Sequence, residues 1–375
     1  MRVAVLGLGG VGTAAARFLA GAGHTVVGFE QFRIDHDRGS SYGASRIIRK
    51  VYPDALYAAL MEAAYPLWDE LERECGEPLF LRCGGFFFGP EEHPEMAATE
   101  RALAQVGIPY QRWSAREAAA HLPQFRLAAR EYGIFEPESG LLRASRCVLA
   151  SARGAVARGA DLRQEARVEA MESTSNGIRL RVNGEWSLFD RVVATAGPWT
   201  APLLAPWIRL PLTVTRQQYA HFAVTGDRGT FAADRFPVWI DMAQSFYGFP
   251  EHDEIPGIKV ALHVPGPVHS PDDPDRSPRP ADDDVLQEYL LRRIPQAAGD
   301  VTHSKVCLYT MTPDHDFVVD RLPGEPRVVF VGGLSGHGFK FTVLLGRIAM
   351  RLALGEDPGH DLRRFALARF LPADW

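Results

Sequence analysis

Arg2–Leu6 (RVAVL), Gly7–Gly12 (GLGGVG), Thr13–Ala22 (TAAARFLAGA) and Thr25–Glu30 (TVVGFE) form the stretch of sequence that decides the fold. The two apolar, β-branched runs predict strands, and the small residues between them predict a helix. Three glycines in G-x-G-x-x-G spacing between strand and helix are typical of a dinucleotide-binding βαβ unit. The alternative is a glycine-rich turn in an ordinary βαβ unit, but strand, helix, second strand and terminal acid all agree with the fingerprint.

Each part of this fingerprint has a physical role. Gly7 permits the tight turn, Gly9 lets a pyrophosphate approach the backbone, and Gly12 lets the helix pack close to the sheet. The helix N-terminus offers free N–H groups and the positive end of its dipole to phosphates. Glu30 follows Gly12 by 18 residues, where a carboxylate accepts hydrogen bonds from ribose hydroxyls. The stretch therefore predicts a dinucleotide site.

Length and composition are those of a soluble globular enzyme. A chain of 375 residues is long for one domain, so we expect two interleaved domains. The apolar fraction of 46% and the net charge of −5, with both signs mixed, give no indication of a nucleic-acid or membrane partner. Residues 2–22 could be taken for a signal peptide, but glycines and Arg17 interrupt the run. No membrane span is expected, and the tail Pro372–Trp375 matches no targeting signal.

Cysteine and histidine spacing gives no indication of a metal or redox site. The cysteines are Cys75, Cys83, Cys147 and Cys307, and no pair has C-x-x-C spacing. Four scattered cysteines fit a reducing cytoplasm better than a disulfide scaffold. The twelve histidines show no ligand spacing, so we predict no metal.

The rest of the chain predicts an α/β (α+β) architecture. Arg191–Thr195 reads as a buried parallel strand, and Arg327–Val331 precedes a second glycine loop, Gly332–Gly338, and the helix Phe341–Leu354. Between them, Leu210–Val264 alternates like an antiparallel sheet. We therefore predict a Rossmann-like dinucleotide domain at both chain ends (1–80, 141–208 and 305–375) and an interleaved antiparallel-sheet substrate domain (81–140 and 209–304).

Local signals predict several further elements. These are a loop over Gln31–Ser45, a strand within Leu79–Phe88, a helix capped by Ser114 with Glu117 completing a capping box, and a hairpin about Asn183-Gly184.

Four cations and a cysteine are candidates for chemistry, each with an ordinary alternative. Arg46 and Arg49 suit a carboxylate or phosphate, although spacing alone favours structural salt bridges. Lys340, after the second glycine loop, could bind an anion or be a solvated lysine. Lys259 shares a strand face with His263, and that face could point inward or to solvent. Cys307 in a strand is by composition a small hydrophobe.

The chain resembles the monomeric sarcosine oxidase and N-methyltryptophan oxidase family, within the D-amino-acid oxidase superfamily of FAD enzymes. The resemblance runs nearly end to end, and its most specific motif is Gly333–Phe341 (GLSGHGFKF). The other matching motifs are Gly7–Glu30, Gly39-Ser40 with Arg46–Arg49 and Tyr52, Phe135–Gly140, Tyr247–Pro250, Gly257–His263 and Cys307–Thr310.

The resemblance implies roles for individual residues. Cys307 would carry FAD through a thioether to the flavin 8α carbon. Arg49 and Lys340 would bind the substrate carboxylate, while Arg46 would lie against the flavin ring. Lys259 would sit over the flavin where oxygen is reduced. Tyr247 and His263 would line the substrate cavity, and Val168 would contact the adenine through its backbone. Further FAD contacts are implied for Gly7, Gly9, Gly10, Val11, Gly12, Glu30, Gln31, Ser40, Ser45, Gly197, Trp199, Gly336, His337, Gly338, Phe339 and Lys340.

The resemblance implies that the protein is a cytoplasmic, monomeric amine oxidase. It would oxidise the C–N bond of a secondary amino acid such as sarcosine to an imine and reduce O2 to H2O2. Ser41 and Tyr42 replace two histidines common in the family, and Ala44-Ser45 replaces Asp-Thr. These changes bear on the substrate, so the alternatives are a cyclic imino acid, a fructosyl amino acid or a biosynthetic intermediate. A flavin dehydrogenase using another electron acceptor is the other alternative.

Overall fold

The computed structural model describes residues 1–253 and 255–371. The tail Pro372–Trp375, in which no targeting signal is predicted, lies outside the described residues. The described strands are β1 (Arg2–Leu6), β2 (Thr25–Phe29), β3 (Arg46–Ile48), β4 (Phe80–Leu81), β5 (Gly85–Pro90), β6 (Gln111–Ser114), β7 (Glu131–Glu136), β8 (Gly140–Leu142), β9 (Asp161–Arg163), β10 (Val168–Thr174), β11 (Gly177–Val182), β12 (Glu185–Phe189), β13 (Arg191–Ala194), β14 (Thr213–Phe222), β15 (Val238–Asp241), β16 (Phe246–Phe249), β17 (Ile258–Leu262), β18 (Val301–Met311), β19 (Val318–Leu322) and β20 (Glu325–Gly332). The described α-helices are α1 (Gly10–Gly21), α2 (Ala55–Cys75), α3 (Pro94–Val106), α4 (Ala115–His121), α5 (Ala144–Ala157), α6 (Thr200–Leu204), α7 (Pro280–Arg293) and α8 (Thr342–Leu354).

The opening βαβ unit is the centre of a six-stranded sheet with the order β19-β20-β13-β1-β2-β9. β1 pairs in parallel with β2 and β13, and β20 adds to β13 in parallel. β19 runs antiparallel to β20 at the edge. α1 packs closely on α8, where a Cβ on Gly346 would lie 2.6 Å from Ala14 Cβ. The predicted Rossmann-like arrangement, which uses both ends of the chain, is confirmed.

The second large sheet has eight strands in the order β18-β14-β17-β16-β15-β5-β7-β6. Its neighbours are antiparallel except β15 and β5, which are parallel. One face buries an aromatic core that includes Phe86, Phe222 and Trp239. β18, at the edge of this sheet, spans the domain boundary predicted at residue 305, and the division of the chain into two domains stays a prediction.

The hairpin and the helix cap that the sequence predicts from neighbouring residues are present in the structure, whereas one predicted strand is divided in two. Asn183 and Gly184 have φ of 51° and 81°, the left-handed pair that a tight hairpin requires. The Ser114 hydroxyl accepts from the Glu117 N–H, which completes the predicted capping box. The strand predicted within Leu79–Phe88 is split into β4 and β5. Gly84 lies between them with φ of 74°, a conformation that ends the first strand.

Candidate active site

A long cavity begins at the carboxyl ends of β1 and β13 and ends at the face of the eight-stranded sheet. Gly7 and Thr195 line the first end, and Lys259 and Cys307 line the other. Ligands bind at the carboxyl ends of parallel strands in doubly wound sheets, so the position suits a cofactor.

The glycine loop between β1 and α1 is closed so tightly that side chains are excluded. Gly7 has φ of 89°, and a Cβ there would lie 2.7 Å from the Thr195 carbonyl oxygen. A Cβ on Gly12 would lie 1.9 Å from the Gly7 carbonyl oxygen. The Gly10 N–H at the start of α1 donates to Ser41 Oγ at 3.1 Å. The turn and the close packing therefore follow the roles expected of Gly7 and Gly12.

Glu30 is buried at the end of β2 and holds the loops that border the cavity. Its carboxylate accepts from the Leu8 N–H at 2.9 Å and from the Phe32 N–H at 3.1 Å. His36 Nε2 lies 3.5 Å from the same carboxylate. Glu30 lines the cavity, where its remaining acceptor capacity faces the expected position of a ribose.

Arg46 holds the loop that follows Glu30. Its Nη1 donates to the Ser45 carbonyl at 2.8 Å, and its Nη2 donates to the carbonyls of Ser40 at 2.9 Å and Tyr42 at 2.8 Å. The alternative of a structural salt bridge is wrong for Arg46, which makes no ion pair within the part of the chain that the structure describes.

The same loop clamps β18 on both sides of Cys307. Ser40 Oγ donates to the Leu308 carbonyl at 2.5 Å, and the Tyr42 hydroxyl donates to the Val306 carbonyl. Cys307 lines the cavity. Burial raises the pKa of its thiol, while the positive charges of Arg46 and Lys259 oppose that rise.

Lys259 points inward, and only 3% of it is exposed. Its ammonium donates to the Ser45 carbonyl at 3.0 Å and lies between the rings of Tyr219 and Phe249, at 4.2 and 4.7 Å from their centroids. Burial, followed by the charge of Arg46, holds its pKa well below the usual range. The alternative of a solvated strand face is therefore wrong.

Arg49, which is partly buried, and Lys340, which is buried, form a cationic pair around Tyr52. Lys340 Nζ donates to the Tyr52 hydroxyl at 2.9 Å and to the His337 carbonyl at 2.8 Å, and Arg49 lies 4.5 Å above the Tyr52 ring. Lys340 is 6% exposed, so the solvated-lysine alternative is wrong. Arg49 Nη1 is buried without a hydrogen-bond partner among residues 1–253 and 255–371. Burial lowers the pKa of both groups, and the charge of Arg49 lowers that of Lys340 further.

Three polar rings connect this pair to the cavity. His263 Nδ1 lies 3.3 Å from the Tyr309 hydroxyl, which lies 3.4 Å from the Tyr247 hydroxyl. Burial, with the charges of Arg49 and Lys340, lowers the pKa of His263 to about 4. The imidazole is therefore neutral at physiological pH and does not repel the neighbouring cations.

The structure brings most predicted site residues to one cavity. Those lining it are Gly7, Gly9, Gly10, Val11, Glu30, Gln31, Ser40, Arg46, Val168, Gly197, Trp199, Tyr247, Lys259, Cys307, Gly336, Gly338 and Phe339. Gly12 lies beneath the glycine loop, and Ser45 contacts Lys259. The remaining predicted residues, Arg49, His263, His337 and Lys340, cluster around Tyr52 and Tyr309.

Four residues at the site were given no role by the sequence. Ser41 contacts the start of α1, Tyr52 joins the two cations, and the Tyr219 ring lies under Lys259. Tyr309 is two residues from Cys307 on β18, so strand alternation could have placed it on the same face. The sequence carries no comparable signal for Tyr219.

Comparison with known proteins identifies the family. The family of FAD-dependent oxidoreductases named DAO matches residues 2–352. The chain belongs to this FAD-dependent oxidoreductase family. It is similar to the monomeric sarcosine oxidase of Streptomyces avermitilis, with 33% identity over 99% of the chain and 98% of the relative. It is also similar to the N-methyl-L-tryptophan oxidase of Salmonella typhimurium, with 31% identity over 98% of each protein. The resemblance drawn from the motifs is confirmed.

Solved structures support the fold of this oxidoreductase. NikD, an unusual amino acid oxidase essential for nikkomycin biosynthesis, superposes with a TM-score of 0.84 at 24% identity, covering 97% of this chain and 96% of NikD. The L-proline dehydrogenase of P. horikoshii superposes with a TM-score of 0.87 at 20% identity, covering 98% of this chain and 97% of the dehydrogenase. At these identities the likeness shows the fold.

The residues of this oxidoreductase fit FAD. Gly7 and Gly12 leave no room for a Cβ, so the loop presents bare backbone at the cavity end where a pyrophosphate would lie. Glu30 would hold the ribose, and Val168 at the start of β10 would border the adenine. Cys307, Arg46 and Lys259 would surround the flavin. No group of three or more potential metal ligands and no helix able to cross a membrane occurs in the described part of the chain.

Proposed function

We propose that this oxidoreductase is an amine oxidase that converts a secondary amino acid, such as sarcosine or another N-methyl amino acid, to an imine with reduction of O2 to H2O2. The observation that carries the proposal is the cationic pair formed by Arg49, whose Nη1 is buried, and the buried Lys340. Arg49 Nη1 has no partner among the described residues, and Lys340 makes no ion pair there. A substrate carboxylate would complete this pair, because unpaired buried charges are costly.

The residues around that pair give the reaction its geometry. A carboxylate on Arg49 and Lys340 would direct the adjacent C–N bond toward the flavin, which accepts a hydride equivalent when FAD is bound. His263 and Tyr247 would border the substrate's amine and side chain. Water then hydrolyses the imine.

Lys259 is proposed to favour the reaction with oxygen, because its buried ammonium stabilises negative charge that develops on oxygen. We expect Lys259→Met to slow reoxidation by O2 strongly, on the order of 100-fold, while anaerobic reduction by substrate changes little. Stopped-flow absorbance separates the two rates. Equal losses in both would contradict the role of Lys259.

Cys307 is proposed to hold FAD covalently, because it lines the cavity in the strand that the Ser40 and Tyr42 loop clamps. The purified protein should be yellow, and its band should keep flavin fluorescence after denaturing electrophoresis. Cys307→Ser should lose that fluorescence, and Cys83→Ser, which changes a partly buried thiol outside the cavity lining, should keep it. A wild-type band without flavin would rule out the covalent link.

The substrate is tested with an oxygen electrode across N-methyl, cyclic and glycated amino acids. The proposal expects the highest kcat/KM for an N-methyl amino acid. A higher kcat/KM for a cyclic or glycated amino acid would show that the proposed substrate class is wrong, while the proposed oxidation of a C–N bond would stand. Substrate reduction of the flavin without oxygen uptake would indicate a dehydrogenase instead.

A further inference from the structure

A row of three nitrogen bases runs across the first three strands at one edge of the eight-stranded sheet and ends at Lys259. His303 on β18 lies opposite His221 on β14, and His221 lies opposite Lys259 on β17. Facing residues on neighbouring antiparallel strands have Cβ atoms about 4.5–5.5 Å apart, so the three side chains stand side by side. Alternation puts them on the face that also presents Tyr219 and Cys307 to the cavity. β18 is the edge strand, so the row begins at the border of the sheet.

His221 is the unusual member of this row. It is 1% exposed, and both of its ring nitrogens are buried without a hydrogen-bond partner among the described residues. Leaving a buried polar atom unpaired costs about 1–3 kcal/mol, so such a group needs a reason. The ring centroid lies 5.6 Å from that of His303, which is partly exposed.

The groups that face His221 keep its ring neutral. They are Lys259 from β17, His303 from β18 and His252 from the turn after β16, whereas the nearby backbone of Gly257 opposes them by raising the pKa of the ring. Burial, followed by the Lys259 charge, lowers the pKa of His221 to about 2. A neutral imidazole has one N–H donor and one bare acceptor nitrogen, so it can pass a proton from one side to the other.

Lys259 has few other polar neighbours. Its ammonium contacts the Tyr219 and Phe249 rings and the carbonyl and hydroxyl of Ser45. A lysine that gives up a proton in this enclosure needs a donor to restore it, and His221 is the adjacent side chain whose nitrogens are uncommitted.

We propose that His303 and His221 conduct protons from solvent to Lys259 during oxygen reduction, an inference that rests on the proposed role of Lys259. Formation of H2O2 from O2 takes two electrons and two protons. Both electrons and one proton come from the flavin reduced by substrate, and the second proton comes from the Lys259 ammonium. Neither ring nitrogen of His221 is hydrogen-bonded in the structure, so each transfer requires an intervening water or a rotation of the ring that brings the two nitrogens into contact. An N–H bond of His221 then breaks as a new N–H bond forms on Lys259 Nζ. The opposite nitrogen of His221 takes a proton from His303, and His303 takes one from a hydronium ion or buffer acid in the solvent.

The test is stopped-flow reoxidation of the substrate-reduced holoenzyme in His221→Phe and His303→Gln. His252→Gln is the matched control, because it removes a buried imidazole near Lys259 that lies outside the row. We expect reoxidation to fall on the order of 100-fold in His221→Phe, with anaerobic reduction unchanged within about twofold. Added imidazole should restore part of the rate in His303→Gln, where the missing ring is at the exposed end.

A second measurement does not depend on turnover. In ¹⁵N-histidine NMR of the purified protein, exchange of the His221 ring proton with solvent should slow in His303→Gln and stay unchanged in His252→Gln. If His221→Phe fails to fold, the His303→Gln variant alone is used for the test, because a substitution at the partly exposed His303 is expected to leave the fold intact.

Unchanged reoxidation in both row variants, or an equal fall in His252→Gln, would overturn the proton path. Lys259→Met separates this failure from failure of the proposed function. If that variant still loses reoxidation, only the path is wrong. If that variant reoxidises normally, the proposed role of Lys259 is wrong, and the proton path is wrong as well.

Discussion

At the scale of single residues, substrate affinity should depend most on the Arg49 guanidinium, whose Nη1 has no partner within the described chain. Arg49→Lys keeps the charge but loses the planar fork that binds two carboxylate oxygens. The loss of one charged hydrogen bond, about 1.5–3 kcal/mol, should weaken substrate binding roughly tenfold to a hundredfold.

The substrate dependence of anaerobic flavin reduction measures this loss in Arg49→Lys. Arg82→Lys is the matched control, since Arg82 is exposed and pairs with Asp69 away from the cavity. Equal affinity in wild type and Arg49→Lys would show that the carboxylate binds elsewhere.

The sequence could predict which residue types stand at the site but not how they pair. The family resemblance identified Arg49 and Lys340 as the carboxylate ligands, because spacing alone favoured salt bridges for Arg49 and left Lys340 between an anion and solvent. Their common partner Tyr52 was left without a role, since Tyr52 and Lys340 are 288 positions apart in the chain. Such a contact is created by the fold and leaves no local pattern.

At the scale of elements, the turn from β1 to α1 is the least tolerant part of the molecule. A Cβ on Gly12 would lie 1.9 Å from a backbone oxygen, and backbone cannot move aside as a flexible side chain can. We expect Gly12→Ala to lose bound FAD and to destabilise the protein by at least about 1–3 kcal/mol, the usual cost of overpacking.

Flavin absorbance per chain and the thermal midpoint measure both effects of Gly12→Ala. Gly21→Ala, at the other end of α1, is the control, because its Cβ would meet only the Arg158 side chain at 3.4 Å. Normal flavin content in Gly12→Ala would mean that the helix can shift away from the sheet without loss of the cofactor site.

Elements defined by neighbouring residues were predicted more accurately than those defined by distant partners. The βαβ unit and the Asn183-Gly184 hairpin depend on local backbone preference, and both were correct. The break at Gly84 was not predicted, because it depends on where β8 and β15 lie. β18 likewise was not recognised as part of the second sheet, because its membership is set by pairing with β14.

At the scale of the whole molecule, the cavity joins the two large sheets, and His263 and His221 are neutral side chains at the sheet beside it. The pKa of His263 is about 4 and that of His221 about 2, each lowered first by burial. In an unfolded chain both rings would titrate near 6.5. Below that pH the unfolded state binds protons that the folded state does not, so the free energy of unfolding falls as the solution is acidified.

His263→Gln should reduce this sensitivity to acid. One titrating histidine contributes a slope of about 1.4 kcal/mol per pH unit between roughly pH 6 and pH 4, so the variant's free energy of unfolding should decline less steeply by that amount. Urea unfolding of wild type and variant at pH 7 and pH 4.5 measures the difference. His121→Gln, at an exposed position, is the control substitution. Parallel pH dependence in wild type and His263→Gln would mean that the His263 ring already takes up its proton in the folded protein.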